Sequence, residues 1–296
     1  MNDQAEKLRI MARNLKKEIE KDMMKSITKT RVIVVTSGKG GVGKTNISLN
    51  LSLVLSEMGK KVILMDADMG MANVDIILGI VPNYNIYHLI SKKKSITDIL
   101  VEGPNNIKII PGASGIKELA NLKEDELKYV INEIAKLDGE ADILIVDTGA
   151  GIGSNVLGFM ASADDVIIVA VPEPTSIADA YGAIKSASFI KPKSNFHLII
   201  NRVKNVNEGK SVAYRLQSVC QKFIGIELDY LGSVSEDNNV EKSVREQTAL
   251  LVSQPNSKAS NDIRQVARNL FKQDYVPANS IGIRGFFKKM ASLNWK

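Results

Sequence analysis

The sequence predicts a single α/β domain on a doubly wound, mostly parallel sheet, with an amphipathic helix appended at each end. Three observations carry this. Short aliphatic runs alternate with longer stretches of helical periodicity between residues 32 and 276. Each run is nearly unbroken in its apolarity, which suits strands covered on both faces rather than one. No internal repeat or low-complexity linker divides the segment. Strand–helix alternation repeated this often, with right-handed crossovers, gives an open sheet with helices on both sides.

The chain opens with an amphipathic segment over residues 3–24, where Leu8, Met11, Ala12, Leu15, Ile19 and Met23 recur at spacings of three and four. Such a stripe suits a helix that packs on its own domain or one that meets a partner. Strands are expected at 32–36, 62–65, 107–110, 143–146, 166–171, 196–200 and 230–234, and helices at 46–58, 125–137, 155–162, 176–190 and 211–223. A helix over 258–272 closes the domain. Beyond residue 281 a helical wheel gathers Ile283, Phe286, Phe287, Met290 and Leu293 in one sector. Arg284, Lys288, Lys289 and Ser292 take the other side, and Asn294 is the misfit. Gly282 and Gly285 weaken this helix in water. Aromatics facing basic charge suit an anionic lipid surface, and a groove of the same domain or of a partner is the alternative. The expected organisation is therefore 1–30, an N-terminal helix; 31–276, the α/β domain; and 277–296, an amphipathic tail.

The formal charge of +6 follows this division. Residues 1–31 hold nine Lys/Arg and five Asp/Glu, residues 277–296 hold four Lys/Arg and no acid, and the core between them is net −2. That distribution argues against a basic nucleic-acid-binding core. The single cysteine, Cys220, excludes a disulfide scaffold, a Cys-rich zinc site and an iron–sulfur cluster held by this chain alone, and reads as an inert thiol, packed or half-exposed. With neither a signal-peptide core nor a membrane-spanning run, a cytoplasmic location is expected. Lys92, Lys93 and Lys94 read as a solvated loop face with no assigned role.

Gly38-Lys39-Gly40-Gly41-Val42-Gly43-Lys44-Thr45 fits G-x-x-x-x-G-K-[ST] between a strand and a helix. Glycines let backbone N–H groups curl around phosphate, and the helix N-terminus adds its positive dipole end. Lys44 would reach the terminal phosphates and Thr45, followed by Asn46, would hold Mg²⁺. Two further acidic positions follow strands: Asp66 and Asp68 after 62–65, with Gly70 close behind, and Asp147 at the head of Asp147-Thr148-Gly149-Ala150-Gly151. Open α/β sheets bind ligands at this carboxyl end.

The run from Lys39 to Thr45, with its additional lysine, resembles the deviant Walker A motif of the MinD/ParA ATPases, and the resemblance covers about residues 31–275. It implies a P-loop ATPase using ATP/ADP and Mg²⁺. It also implies that Lys39 crosses an ATP-bridged homodimer interface to the partner's phosphates. Asp68 is then the residue that orients the attacking water, Asp147 supports Mg²⁺ with Asp66 nearby, and Asn201-Arg202 lies where an asparagine amide meets adenine. The segment 233–237 would line the rest of the base pocket.

Asp3-Gln4-Ala5-Glu6-Lys7-Leu8-Arg9 is similar to the D-Q-A-x-x-L-R motif of the FlhG (YlxH/FleN) group, MinD-like ATPases that control flagellar number and placement. The resemblance implies that Asp3, Gln4, Leu8 and Arg9 engage and stimulate an FlhF-type GTPase. Flagellar switch or C-ring components are further candidate partners. The tail, through Ile283, Phe286, Phe287, Lys288, Lys289 and Met290, would bring the ATP-bound form to the inner face of the cell membrane. No specific nucleic acid is expected. The alternatives are a MinD-type division-site regulator, a ParA-type ATPase that binds DNA, or a binding protein whose nucleotide is structural.

Overall fold

Aliphatic strands without polar alternation need cover on both faces, and the chain supplies it. A computed structural model describes residues 29–68, 73–112, 124–191, 194–272 and 280–293. Its strands are β1 (Arg31–Ser37), β2 (Val62–Ala67), β3 (Val101–Glu102), β4 (Lys108–Ile110), β5 (Ile143–Ala150), β6 (Asp165–Ala170), β7 (Asn195–Val203) and β8 (Leu228–Ser235). They form one sheet in the order β3-β4-β2-β5-β1-β6-β7-β8, parallel throughout except for the antiparallel β3–β4 edge. The helices are α1 (Lys44–Glu57), α2 (Val74–Leu78), α3 (Ile86–Ile90), α4 (Ile96–Ile99), α5 (Glu124–Ile134), α6 (Ser154–Ser162), α7 (Pro174–Ile190), α8 (Val206–Ile224), α9 (Asn238–Arg245), α10 (Leu250–Ser253), α11 (Lys258–Lys272) and α12 (Gly282–Ser292). Residues of α3 to α8 and α12 join the core on one face, and residues of α1, α2, α10 and α11 join it on the other. Burying one large aliphatic side chain contributes about 2 kcal/mol, so this double cover dominates stability.

All seven expected strands are present. The two-residue β3 and the short helices α2, α3, α4, α9 and α10 were not anticipated. Three strands also run two or more residues past their expected carboxyl ends. β2 reaches Ala67, β5 reaches Ala150 and β7 reaches Val203, so Asp66, Asp147 and Asn201 sit within strands rather than after them. Pairing with a neighbour keeps them extended: Asp66 is in register with Asp147, and Asn201 with Val234. Helix α8 starts at Val206 instead of 211 because Asn205 caps it. The Asn205 side chain accepts from Glu208 N–H at 3.0 Å, while the Glu208 carboxylate accepts from Lys204 N–H at 2.7 Å. That reciprocal arrangement resembles a capping box and was legible as Asn205 followed by Glu208. Cys220 is fully buried on α8, and burial pushes its thiol up to about 11.

The tail forms α12 and docks on its own domain. Ile283, Phe286, Phe287 and Met290 are buried, and Phe286 stacks on Phe159 of α6 with centroids 6.1 Å apart. Its entry is pinned by Asp164, whose Oδ2 accepts from Val32 N–H at 2.9 Å and lies 2.9 Å from Ser280 Oγ. Gly282 takes φ 71°, and a Cβ there would stand 2.4 Å from Asp138 Oδ2. The glycine expected only to weaken the helix is thus needed for its approach. Of the groove and lipid alternatives for this tail, the described arrangement is the groove. The N-terminal segment, with Asp3, Gln4, Leu8 and Arg9, lies outside the described residues.

At the opposite end of the sheet from the glycine-rich loop, His197 links two carboxylates. Its Nδ1 is 2.9 Å from Asp229 Oδ2 and its Nε2 is 3.1 Å from Asp165 Oδ1, while Asp165 also pairs with Arg31 at 2.7 Å. Burial opposes protonation of the imidazole, but hydrogen bonds and charge from the two aspartates prevail and raise its pKa above 6.5. Only the imidazolium donates to both acids at once. The resulting stability is fully present below pH 6.5 and is lost as pH rises through the raised pKa. Chemical denaturation across that window should therefore show stability falling toward alkaline pH by no more than one proton's linkage. His197→Gln should flatten this dependence.

Candidate nucleotide site

The glycine-rich loop joins β1 to α1 at the carboxyl edge of the sheet. Gly43, at φ 88°, is the residue before the helix, and a Cβ there would stand 2.4 Å from Asn201 Nδ2. Only glycine allows this turn and this approach together. The Asn201 amide donates to the Val42 carbonyl at 2.8 Å, tying β7 to the loop. Gly38 packs against the Asp179 backbone of α7, and Gly40 and Gly41 form the exposed crest.

The two loop lysines occupy different surroundings. Lys44 points inward: its Nζ lies 2.9 Å from Asp147 Oδ1 and 3.5 Å from Thr45 Oγ1, and the paired side chains are only 7% and 1% exposed. Ser48, one turn along α1, donates to the same Asp147 oxygen at 2.8 Å. Lys39 points outward, with its side chain 41% exposed. Its Nζ lies 2.8 Å from Glu173 Oε2 and 3.2 Å from Thr175 Oγ1. The Lys39 ammonium in turn holds the Glu173 carboxyl below the usual range.

Asp66, expected near the metal, uses its carboxylate to organise the loop after β2. Oδ1 accepts from Asp68 N–H at 3.1 Å, and Oδ2 accepts from Asn73 and Val74 N–H at 2.9 and 3.1 Å. Burial, helped by the charge of Asp147, pushes its pKa up to about 6 against those N–H donors. Asp68 is half-buried beside Gly149, where a Cβ would stand 3.5 Å from its Oδ1. Lys44, Asp147 and Asp68 are thus brought to one end of the sheet, after or within β1, β5 and β2, while Lys39 faces outward. Gly70 lies outside the described residues.

A cavity of about 480 Å³ opens beside the loop, lined by Gly43, Asn46, Asn201, Arg202, Ser235 and Asp237 among others. Within 233–237, Ser233 faces away from it, hydrogen-bonded to Tyr230 and pressed on Gly209 of α8. The remaining residues present fit a nucleotide with Mg²⁺. Asp147 Oδ2 is buried and, among the described residues, lacks a hydrogen-bond partner, as does Asn46 Oδ1 at the cavity wall. Buried acceptors left this way call for a donor or a cation-bound water.

Sequence reasoning missed Ser48, Glu173 and Thr175. Ser48 carried a signal in its four-residue offset from Lys44. Glu173-Pro174-Thr175 carried one as a helix start, proline at the first helical position, following an apolar strand.

A strand–glycine loop–helix unit whose one lysine faces a buried aspartate and whose other lysine faces outward defines a P-loop ATPase of the MinD/ParA class. A family profile described as an AAA domain matches residues 30–200. The chain is 38% identical over 264 residues to the antiactivator FleN of Pseudomonas aeruginosa, covering 89% of this chain and 94% of that protein. It is 37% identical over 295 residues to the flagellum site-determining protein YlxH of Helicobacter pylori, covering 98% of each. Among solved structures, the septum site-determining protein MinD of Pyrococcus horikoshii in complex with Mg-ADP superposes with a TM-score of 0.67 at 26% identity, over 82% of this chain and 96% of that one. The chain belongs to the FlhG family of MinD-like ATPases, the group that includes FleN and YlxH.

Removing one member of a buried ion pair leaves the other charge uncompensated. Lys44→Met should lower stability by on the order of 3 kcal/mol in urea unfolding and abolish binding of a fluorescent ATP analogue. Ser48→Ala should cost about 1 kcal/mol.

Proposed function

We propose that this protein is a nucleotide-switched ATPase that regulates flagellar number or placement. The observation that carries the switch reading is the division of labour between the two loop lysines. Lys44 is committed inward to Asp147, whereas Lys39 stands at the surface, held by an exposed carboxylate it can exchange for another anion. A lysine in that position can reach the phosphates of a second copy across an ATP-bridged homodimer. Water oriented by Asp68 attacks the γ-phosphorus, the bond to the β-phosphate oxygen breaks, and ADP leaves while the water's proton passes to the inorganic phosphate formed. Lys44 and the loop N–H groups stabilise the charge that develops. Mg²⁺, held by Thr45 and supported by Asp147, would neutralise phosphate charge. Turnover is slow and regulated by partners, because the timing of the bound state is the output.

The two basic ends connect the switch to its surroundings. Asp3, Gln4, Leu8 and Arg9 engage and stimulate an FlhF-type GTPase. The tail leaves its groove in the ATP-bound dimer and enters an anionic membrane surface through Ile283, Phe286, Phe287 and Met290, with Lys288 and Lys289 at the headgroups. Two tails on one dimer add avidity to a weak anchor. The flagellar assignment is supported by the likeness to FleN and YlxH, which exceeds that to MinD of Bacillus subtilis at 30% identity.

Asp68→Ala should retain ATP and accumulate as a dimer in size-exclusion chromatography, with hydrolysis reduced by on the order of a hundredfold or more, the usual scale for a group that handles the water's proton. A monomer in the presence of ATP would contradict the switch. A peptide of residues 1–24 should raise the GTP turnover of the FlhF-type partner, and Gln4→Ala should weaken that effect. An inert parent peptide would remove the GTPase from the proposal.

A further inference from the structure

We infer that the turn carrying Lys92, Lys93 and Lys94 is a second contact for an anionic membrane surface, placed on the same face as the tail helix so that it orients the tail during insertion. Three consecutive lysines in a loose loop would be unremarked solvation, but this turn is built. The N–H groups of Lys92, Lys93 and Lys94 bond back to the Leu89 and His88 carbonyls at 3.0, 3.0 and 3.2 Å. Lys92 takes φ 56°, the left-handed conformation that, with those hydrogen bonds, closes the end of α3. Among the described residues none of the three is ion-paired with a carboxylate. Instead Lys94 Nζ lies 4.1 Å from the Tyr84 ring centroid and Lys92 Nζ lies 5.3 Å from that of Tyr129. Aromatic faces position these ammonium groups without neutralising them. Asp98, the acid closest in the chain, is held first by the Ser95 cap of α4 and feels the Lys94 charge as its weakest influence.

Helix α5 joins this turn to the tail. Lys92 packs over its Tyr129, while Arg284 of α12 donates to its Asn132 at 3.0 Å. Those positions are less than one turn apart, about 4.5 Å along the helix axis. Arg284 and Lys288 are exposed on α12, whereas α5 between them and the turn is acidic toward its start and Lys136, just beyond its end, is paired with Glu133. Tyr87, 45% exposed beside the turn, adds the side-chain type that favours the headgroup layer.

An anionic membrane fits this face better than nucleic acid because the lysine turn meets, across Tyr129 and Asn132 of α5, a basic helix whose hidden side is wholly apolar. That helix has only eleven residues. A single short anchor binds reversibly, and durable attachment takes a second signal such as a polybasic patch. The inference rests on the proposed insertion of the tail.

The test titrates full-length protein and ATP with vesicles of phosphatidylcholine alone or mixed with phosphatidylglycerol, scored by flotation. Each lysine near an anionic leaflet strengthens binding about fivefold. Lys92→Gln/Lys93→Gln/Lys94→Gln should therefore raise the half-saturating lipid concentration on anionic vesicles by on the order of a hundredfold. ATP turnover and melting temperature should stay at the parent values, and the triple Lys→Arg variant should restore binding. If the glutamine variant binds like the parent while Lys288→Gln/Lys289→Gln binds weakly, the second contact is overturned and the tail reading stands. If the parent itself ignores anionic vesicles, the tail reading falls and the second contact with it. If the glutamine variant instead loses binding to a short DNA duplex and keeps its vesicle binding, the turn serves nucleic acid and the inference is overturned.

Discussion

A lysine ammonium and an aspartate carboxylate, 2.9 Å apart and shut away from water, join the glycine-rich loop to the central strand β5. Neither charge could be buried alone without a penalty of several kcal/mol, so each fixes the other. Lys44 sets where α1 begins, and Asp147 sets how far β5 must extend to meet it. Ser48 closes the arrangement from one turn along the helix. Asp66 stands in register with Asp147 on β2 and holds the next loop through backbone N–H groups, which brings Asp68 to the same end of the sheet. The phosphate loop, the water-positioning candidate and the metal candidate thus hang on one buried contact between the head of α1 and strand β5.

The same strands carry a second polar system at their other end. Arg31 begins β1 and Asp165 begins β6, and His197 ties Asp165 to Asp229 across β7 and β8. Next to Asp165, Asp164 receives the backbone of β1 and the entry to the tail helix. Burial raises the Asp164 pKa, opposed by those hydrogen bonds. The tail is therefore anchored to the inner strand that delivers the glycine-rich loop.

Much of this was legible in the residues. The aliphatic runs announced a sheet covered on both faces because strands packed on one side only would alternate. The glycine-rich loop was legible because phosphate binding demands residue types at fixed offsets. The basic ends were legible from charge alone. What escaped was short or depended on distant partners. Helices α2, α3 and α4 have four or five residues, too few for a periodicity. Asp147 and Asn201 looked like residues after strands because their polarity ended the apolar run, whereas pairing with β2 and β8 keeps them extended. Glu173 gives no local sign that it will meet Lys39 across 134 positions.

Sequence by itself determined the class of fold, the place and chemistry of the phosphate loop, the family and the amphipathic character of the tail, since all of these are written in local residue types and spacings. Tertiary structure alone decided which way each loop lysine points, that Asp66 holds backbone, and that Phe286 and Phe287 lie in a groove under α5 and α6. It also decided that a turn of three lysines shares α5 with Arg284. Those outcomes turn on burial and on contacts between residues far apart in the chain, and such contacts exist only once the sheet has brought its strands side by side.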